Sequence, residues 1–447
     1  MKRNVRNALE ATMIRKISLS AVAVSLLASL VSAEVNFDRG GFDIKEEISG
    51  MEVAAPEVTQ DKNMLTDWLF GKSQAEWTIM VFGNGKNDLE PFLMKDLNEM
   101  EKVGSNSKVN IIVEAGRIAG YDSSDGDWTG VRRYRMTKDT DTSKVNSPVV
   151  ETLGDVDMGD YKSVVAFSNW AKAKYPARKY MMIFWNHGSG WSKSLERPIT
   201  KGISYDEQSG NHINTPQMGL ALKEMAGLDV VGTDACLMQM AEVDYEIKDS
   251  VDYIVASEET EPGDGYTYDL FLGPVVAKPT MSPLEVGKAA VNGYADHYDG
   301  IRQGHTQSLV KASSINKLLT LTDAFTGAMM ASGDKVLAKS ARDGAINYAM
   351  DENRDMYDFV RLVLEGTKSD DVKVKGRALM GFITGELVLQ NRTRDSQASY
   401  WSEAKEYTLS KGIAAYFPNY TPADGYSDLA WAKASRWDEF VNWINQP

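Results

Sequence analysis

Short apolar runs of strand length, separated by segments with helical spacing, set the strongest limit on what this 447-residue chain can fold into. Trp77 to Phe82, Val109 to Val113, Tyr180 to Trp185, Leu228 to Val231 and Tyr253 to Ala256 are such runs. Apolar residues at consecutive rather than alternate positions belong to strands covered on both faces. Between the first two, Leu89, Phe92, Leu93, Leu97 and Met100 recur at helical spacing, with Asn87 the expected N-cap and Glu90 three residues on. Asp160 to Lys174, a segment opened by Thr215 as N-cap and Pro216, and Ser282 to His297 read as further helices. The alternation predicts an α/β fold with a mostly parallel sheet between two helical layers. In such sheets, sites form beyond the C-terminal strand ends.

Two of these ends carry reactive side chains. The run ending at Trp185 continues as Asn186-His187-Gly188-Ser189-Gly190-Trp191, and the run ending at Val231 as Gly232-Thr233-Asp234-Ala235-Cys236-Leu237-Met238. Cys236 is the only cysteine, so it has no disulfide partner within the chain. A lone cysteine is often a small buried hydrophobe; a histidine at the matching place on another strand points instead to a cysteine–histidine hydrolase. A thiol of ordinary pKa near 8.5 needs help at neutral pH. A strand-to-helix transition would bring Cys236 near a helix N-terminus, and His187 is the expected proton carrier. Gly188 to Gly190 offer bare backbone N–H groups to a substrate. His212, His297 and His305 lie in polar stretches and read as surface residues. Gly188-Ser189-Gly190 is not a Gly-x-Ser-x-Gly elbow, which disfavours a serine hydrolase.

The N-terminus reads as a secretory signal over residues 1–33: Arg15-Lys16, an apolar core from Ile17 to Val31, and cleavage after Ala33. Met13 would open such a signal equally well. The core is shorter than the roughly 20 apolar residues of a membrane span, so we expect secretion or periplasmic export and no stable anchor, an uncleaved anchor being the alternative. Residues 34–75 read as a leader, 76–310 as the catalytic domain, and 311–447 as a mainly helical extension interrupted by one strand, Gly412 to Pro418. Removing the basic signal takes the net charge from −14 to −18, which disfavours nucleic acid as a partner. No His-Glu-x-x-His or Cys-x-x-Cys is present, so no zinc site is expected.

Three stretches in order, Asn87-Asp88-Leu89, Asn186 to Trp191 and Asp234 to Met238, followed by Ser257-Glu258-Glu259 and Pro262-Gly263-Asp264-Gly265, resemble the clostripain family of cysteine peptidases in the caspase–gingipain–legumain clan. The likeness covers about residues 75–310. It implies a caspase-like αβα sandwich and an enzyme in which Cys236 attacks the scissile carbonyl. His187 would then manage protons, and the N–H groups of Gly188 and Cys236 would form the oxyanion hole. It assigns Asp234, Asp264 and Ser257 to the S1 pocket and cleavage after Arg or Lys, which carboxylates suit. Asp234 also reads as a carboxylate bonded to nearby backbone, and Asp264 as a turn residue. Relatives are activated by self-cleavage after a basic residue between histidine and cysteine; Lys201 is the candidate, with Arg197 and Lys193 as rivals. No cofactor is required by this chemistry. Calcium accompanies some relatives, with Glu258, Glu259, Glu261 and Asp264 as candidate oxygen ligands. The expected partners are peptides with Arg or Lys at the cleaved position, acted on by a monomer. The competing readings are a non-catalytic peptide-binding relative and a peptidase with another P1 preference.

Overall fold

Five parallel strands form the middle of a nine-stranded sheet in the computed structural model, which describes residues 74–191, 202–397 and 404–446. The expected signal, residues 34–73 of the leader, and Lys193, Arg197 and Lys201 lie outside the described residues. In chain order the strands are β1 (Ala75–Gly85), β2 (Val109–Arg117), β3 (Gly130–Arg135), β4 (Val149–Gly154), β5 (Ala177–Trp185), β6 (Ile203–Asp206), β7 (Asn211–Ile213), β8 (Val230–Asp234), β9 (Tyr253–Ala256), β10 (His305–Lys311), β11 (Asn353–Asp355), β12 (Val388–Arg394) and β13 (Ala414–Tyr416). The large sheet runs β12-β10-β9-β8-β5-β1-β2-β3-β4. Its outer strands β3, β4, β10 and β12 pair antiparallel.

Consecutive residues of the central strands feed opposite cores. Met80, Phe82, Met182, Phe184 and Val231 pack into one cluster, while Ile79, Val81, Met181, Ile183 and Val230 pack into the other. That two-sided burial is the reason the strands read as unbroken apolar runs. Helices α1 (Glu90–Val103), α2 (Tyr161–Lys174), α3 (Thr215–Met225), α4 (Ala241–Ile247), α5 (Tyr268–Ala277) and α6 (Pro283–Gly300) supply the layers. α1, α5 and α6 pack into the second cluster through Leu97, Phe271 and Val291; α2, α3 and α4 pack into the first through Phe167, Met218 and Val243. Each such fully buried side chain contributes about 1.5–3 kcal/mol.

The first cluster continues without a break into the chain beyond residue 311, through Leu318, Phe325, Phe359, Leu379, Phe440 and Ile444. These sit on α7 (Ile315–Ser332), α9 (Met356–Gly366), α10 (Asp370–Phe382) and α12 (Trp437–Asn445); α8 (Lys335–Gly344) and α11 (Ala430–Ala434) complete the set. β12, from this same region, forms an edge of the large sheet. The late strand is shorter than expected and pairs with β11 in a separate two-stranded sheet.

Two helix starts differ from expectation. α1 begins at Glu90 with Leu89 at the N-cap; Asn87 instead accepts the Leu89 N–H in a local turn and donates to the Tyr205 carbonyl. Glu90 is drawn away from any capping role by a buried ion pair with Arg117 at 2.5 Å. α3 is capped by Asn214, not Thr215, in a reciprocal capping box with Gln217.

Candidate active site

Register alone brings the two reactive side chains together. β5 and β8 are parallel neighbours with Trp185 opposite Asp234, so His187 and Cys236 each follow a matched pair by two residues. Both line one cavity of about 240 Å³, with Leu89, Trp185, Asp234 and Glu261 also contributing walls. Gly188 shows how close the two loops come: a Cβ there would lie 2.6 Å from the Cys236 carbonyl oxygen. Gly190 has a φ of +57°, and a Cβ there would lie 2.5 Å from the Leu237 carbonyl oxygen. Side chains at either position would push the loops apart.

His187 is oriented by a residue the sequence left without a role. Its Nε2 lies 2.6 Å from Asp88 Oδ1, in the turn before α1. An imidazole that donates Nε2–H to a carboxylate keeps Nδ1 as the nitrogen that gains and loses a proton. Asp88 is therefore a positioning residue. Asp88→Asn keeps the shape and removes the charge, so kcat should fall on the order of 10²-fold with KM little changed. Asp88→Glu should recover part of the loss, and an unchanged pH–rate profile in Asp88→Asn would rule this role out.

Cys236 is half-buried, with Sγ 3.9 Å from the Glu261 carbonyl oxygen. Burial, and then the neighbouring Glu261 charge, push its thiol up to about 12. The expected helix N-terminus is not beside it, because α4 starts only at Ala241, after the loop through Met240. That loop is fixed from outside. Leu237 N–H donates to the Glu259 carbonyl at 3.2 Å, Gln239 N–H to the Ser257 carbonyl at 2.9 Å, and Ala414 N–H to the Gln239 carbonyl at 3.1 Å. Leu237 has a φ of +63°, a conformation costly for a side chain of its size, so the backbone directly after the thiol is strained and held.

The floor of the cavity is acidic. Asp234 Oδ1 accepts the Tyr266 N–H and Oδ2 the Tyr268 hydroxyl, each at 2.9 Å. Burial raises the Asp234 carboxyl to about 7. Behind it, Asp96 accepts the Trp185 indole N–H at 2.7 Å, and burial raises its carboxyl well above the usual range.

Other expected site residues stand elsewhere. Asp264 does not line the cavity: it pairs with Lys95 of α1 at 2.8 Å, and its other oxygen lies 3.8 Å from His297 Nε2 of α6. Ser257 is buried, and its hydroxyl donates to the Thr306 carbonyl at 2.7 Å, tying β9 to β10. The four candidate calcium ligands do not converge. Glu258 binds Ser410, Glu259 binds Tyr407 and Ala349 N–H, Glu261 binds Gln307, and Asp264 binds Lys95. Among the described residues no three histidine, cysteine or acidic side chains form a metal-sized group. His305 is not a surface residue: it is buried on β10 against Tyr294 and Tyr298, its Nε2 3.3 Å from Asp299, and burial lowers its pKa. No helix among the described residues is long and apolar enough to cross a membrane.

The family model described as the clostripain family matches residues 81–443. Clostripain of Hathewaya histolytica is 28% identical over an alignment of 213 positions that covers 43% of this chain and 40% of that protein's length. The fold is similar to a secreted C11 cysteine protease from Bacteroides thetaiotaomicron solved with an irreversible peptide inhibitor, at 20% identity and a TM-score of 0.60, over 81% of this chain and 100% of that one. It is also similar to an inactive zymogen C11 protease from Parabacteroides distasonis, at 16% identity and a TM-score of 0.59, over 81% and 98% of the two chains. The αβα sandwich is thus caspase-like, and a match across most of the chain places this protein in the clostripain family of cysteine-type peptidases.

Proposed function

We propose that the chain is an exported cysteine endopeptidase that hydrolyses peptide bonds after Arg or Lys, without a required cofactor and as a monomer. The observation that carries this reading is the single cavity shared by the only thiol, an imidazole braced by Asp88, and a buried acidic floor. Cys236 Sγ attacks the scissile carbonyl carbon as its proton passes to His187. The N–H groups of Gly188 and Cys236 hold the oxygen that becomes negative. His187 returns the proton to the leaving amine as the C–N bond breaks, and water then releases the acyl group from sulfur. A cationic P1 side chain would reach Asp234, with the Trp185 indole at its flank. Residues 76–310 would carry this chemistry, with 311–447 bracing it.

Fluorogenic peptides ending in Arg, Lys, Asn, Asp and Leu test the reading. Preferential release after Arg or Lys is expected; turnover only after Asp or Leu would overturn the acidic pocket.

Activation by self-cleavage at Lys201 belongs to the same proposal. Lys201 precedes Gly202, whose carbonyl accepts the Ser189 N–H at 2.9 Å, two residues from His187. Purified wild type should acquire a new N-terminus at Gly202 while Cys236→Ala alone stays whole. Wild type that also stays whole would end the idea, and a cut after Arg197 or Lys193 would move it.

A further inference from the structure

The rim that carries the thiol cavity continues past it. β10 pairs antiparallel with β9, and β12 with β10, with His305 opposite Arg394. β10 therefore starts, and β12 ends, at the edge of the sheet where β9 stops. The loops at that edge enclose a hollow of about 760 Å³. Glu261 and Pro262 are walls of both the hollow and the thiol cavity, so the two are neighbours.

Charges around the hollow are unevenly committed. The Glu259 carboxylate accepts the Tyr407 hydroxyl at 2.5 Å, the Thr260 N–H at 2.7 Å and the Ala349 N–H at 2.9 Å, with Lys405 Nζ at 3.4 Å. The Glu261 carboxyl is turned inward, where it meets Gln307 at 3.1 Å, the Ala235 N–H and Asp234. Arg302 is exposed and makes no ion pair among the described residues. It stands just past α6 with a φ of +59°, its N–H donating to the Asp299 carbonyl at 3.2 Å. Glycine ordinarily takes such a left-handed position, so an arginine there calls for a reason beyond backbone geometry. Its charge also suits the negative end of α6, which is the purely structural reason for it.

The side from which the proton arrives decides which half of a peptide reaches the hollow. His187 serves the leaving amine from the β5 side of Cys236, and β9, β10 and β12 lie on the other side. The half of the substrate N-terminal to the cut therefore runs toward the hollow. Neighbouring strands are about 4.8 Å apart, which puts β10 and β12 roughly 10 and 14 Å from β8. An extended peptide covers about 3.3 Å per residue, so about three to four residues span that distance.

Resting on the peptidase reading above, we propose that the hollow is a subsite for an acidic residue at P3 or P4, selected by Arg302. The substrate carboxylate meets the guanidinium at the solvent edge, while its aliphatic carbons lie along Pro262 and the exposed Ile301. Arg302 sets specificity and touches none of the reacting atoms.

Fluorogenic tetrapeptides ending in the P1 residue that wild type cuts best, with Glu, Gln or Lys placed in turn at P3 and P4, test this on the full chain. At one of the two positions kcat/KM should favour Glu over Gln by about 3- to 5-fold, the upper range of an exposed ion pair, with Lys below Gln. Salt at about 0.5 M should shrink the ratio. Arg302→Gln should bring it to about one, Arg302→Glu should favour Lys, and peptides with alanine at both positions should be cut as by wild type. Arg302→Gly, which suits the left-handed backbone, repeats the test if Arg302→Gln folds poorly. Equal rates for Glu and Gln at both positions in wild type, or a Glu preference that survives in both Arg302→Gln and Arg302→Gly, would overturn the proposal and leave Arg302 as a cap for α6. The ratio does not depend on which P1 residue is preferred, so a wrong P1 assignment leaves the test standing. Wild type that cuts none of the peptides sinks the peptidase reading, and this subsite with it.

Discussion

Cys236→Ala should lower kcat for Arg and Lys peptides by at least about 10⁴-fold, to the limit of detection, with little change in melting temperature. The size follows from the count of thiols: with one cysteine in the chain, no second sulfur can take over. Stability should move by under about 1 kcal/mol, since Cys236 is half-buried, with a weak 3.9 Å contact from Sγ to a carbonyl. His187→Ala should approach the same loss for a different reason. Burial raises the thiol, so the proposed attack needs a base, and His187 is the imidazole that shares its cavity. The assay compares the three proteins on the same peptides with folding checked by near-UV circular dichroism. Turnover in Cys236→Ala above about one-hundredth of wild type would exclude sulfur as the nucleophile.

The central sheet was legible because its strands are buried on both faces and announce themselves as apolar runs. The matched placement of His187 and Cys236 followed from the same parallel register, Trp185 opposite Asp234. Elements that share burial with solvent were not legible. β4 reads with an exposed or half-exposed residue at every position, and β12 is half-exposed along most of its length. Neither offers a run to detect. α5 was hidden by the opposite fault: Tyr268 to Ala277 is apolar almost all round and carries Pro274, so no face stands out. Within the site, contacts across long separations decided what sequence could not. Asp88 meets His187 across 99 positions. Glu261 and Asp264 sit three residues apart in one acidic loop, and only the fold tells which faces the thiol and which faces Lys95. Glu258, Glu259, Glu261 and Asp264 looked like a ligand set because they are close in sequence; each is committed to a different neighbour.

Asp234→Asn should lower kcat/KM for Arg peptides by about 10²–10³-fold while leaving slow hydrolysis after Leu unchanged. Two charges about 4 Å apart interact by about 4 kcal/mol at an effective dielectric of 20, and each 1.4 kcal/mol is a factor of ten. The upper end of the range is the full value; desolvation of both ions brings it down. Asp234 also has a plain structural duty, accepting from Tyr266 N–H and the Tyr268 hydroxyl. Asparagine separates the two roles. Its Oδ1 keeps the Tyr266 bond, and its amide can turn a donor toward the Tyr268 oxygen, so the tyrosines stay in place while the charge is lost. A purely structural Asp234 would make activity fall equally for every P1 residue, together with the melting temperature. A recognition carboxylate makes it fall for Arg and Lys alone. Lys peptides should lose less than Arg peptides, since an ammonium meets one carboxyl oxygen at a time where a guanidinium can meet two. A uniform loss across Arg, Lys and Leu would therefore leave Asp234 as a brace for Tyr266 and Tyr268, and the basic preference would need another source.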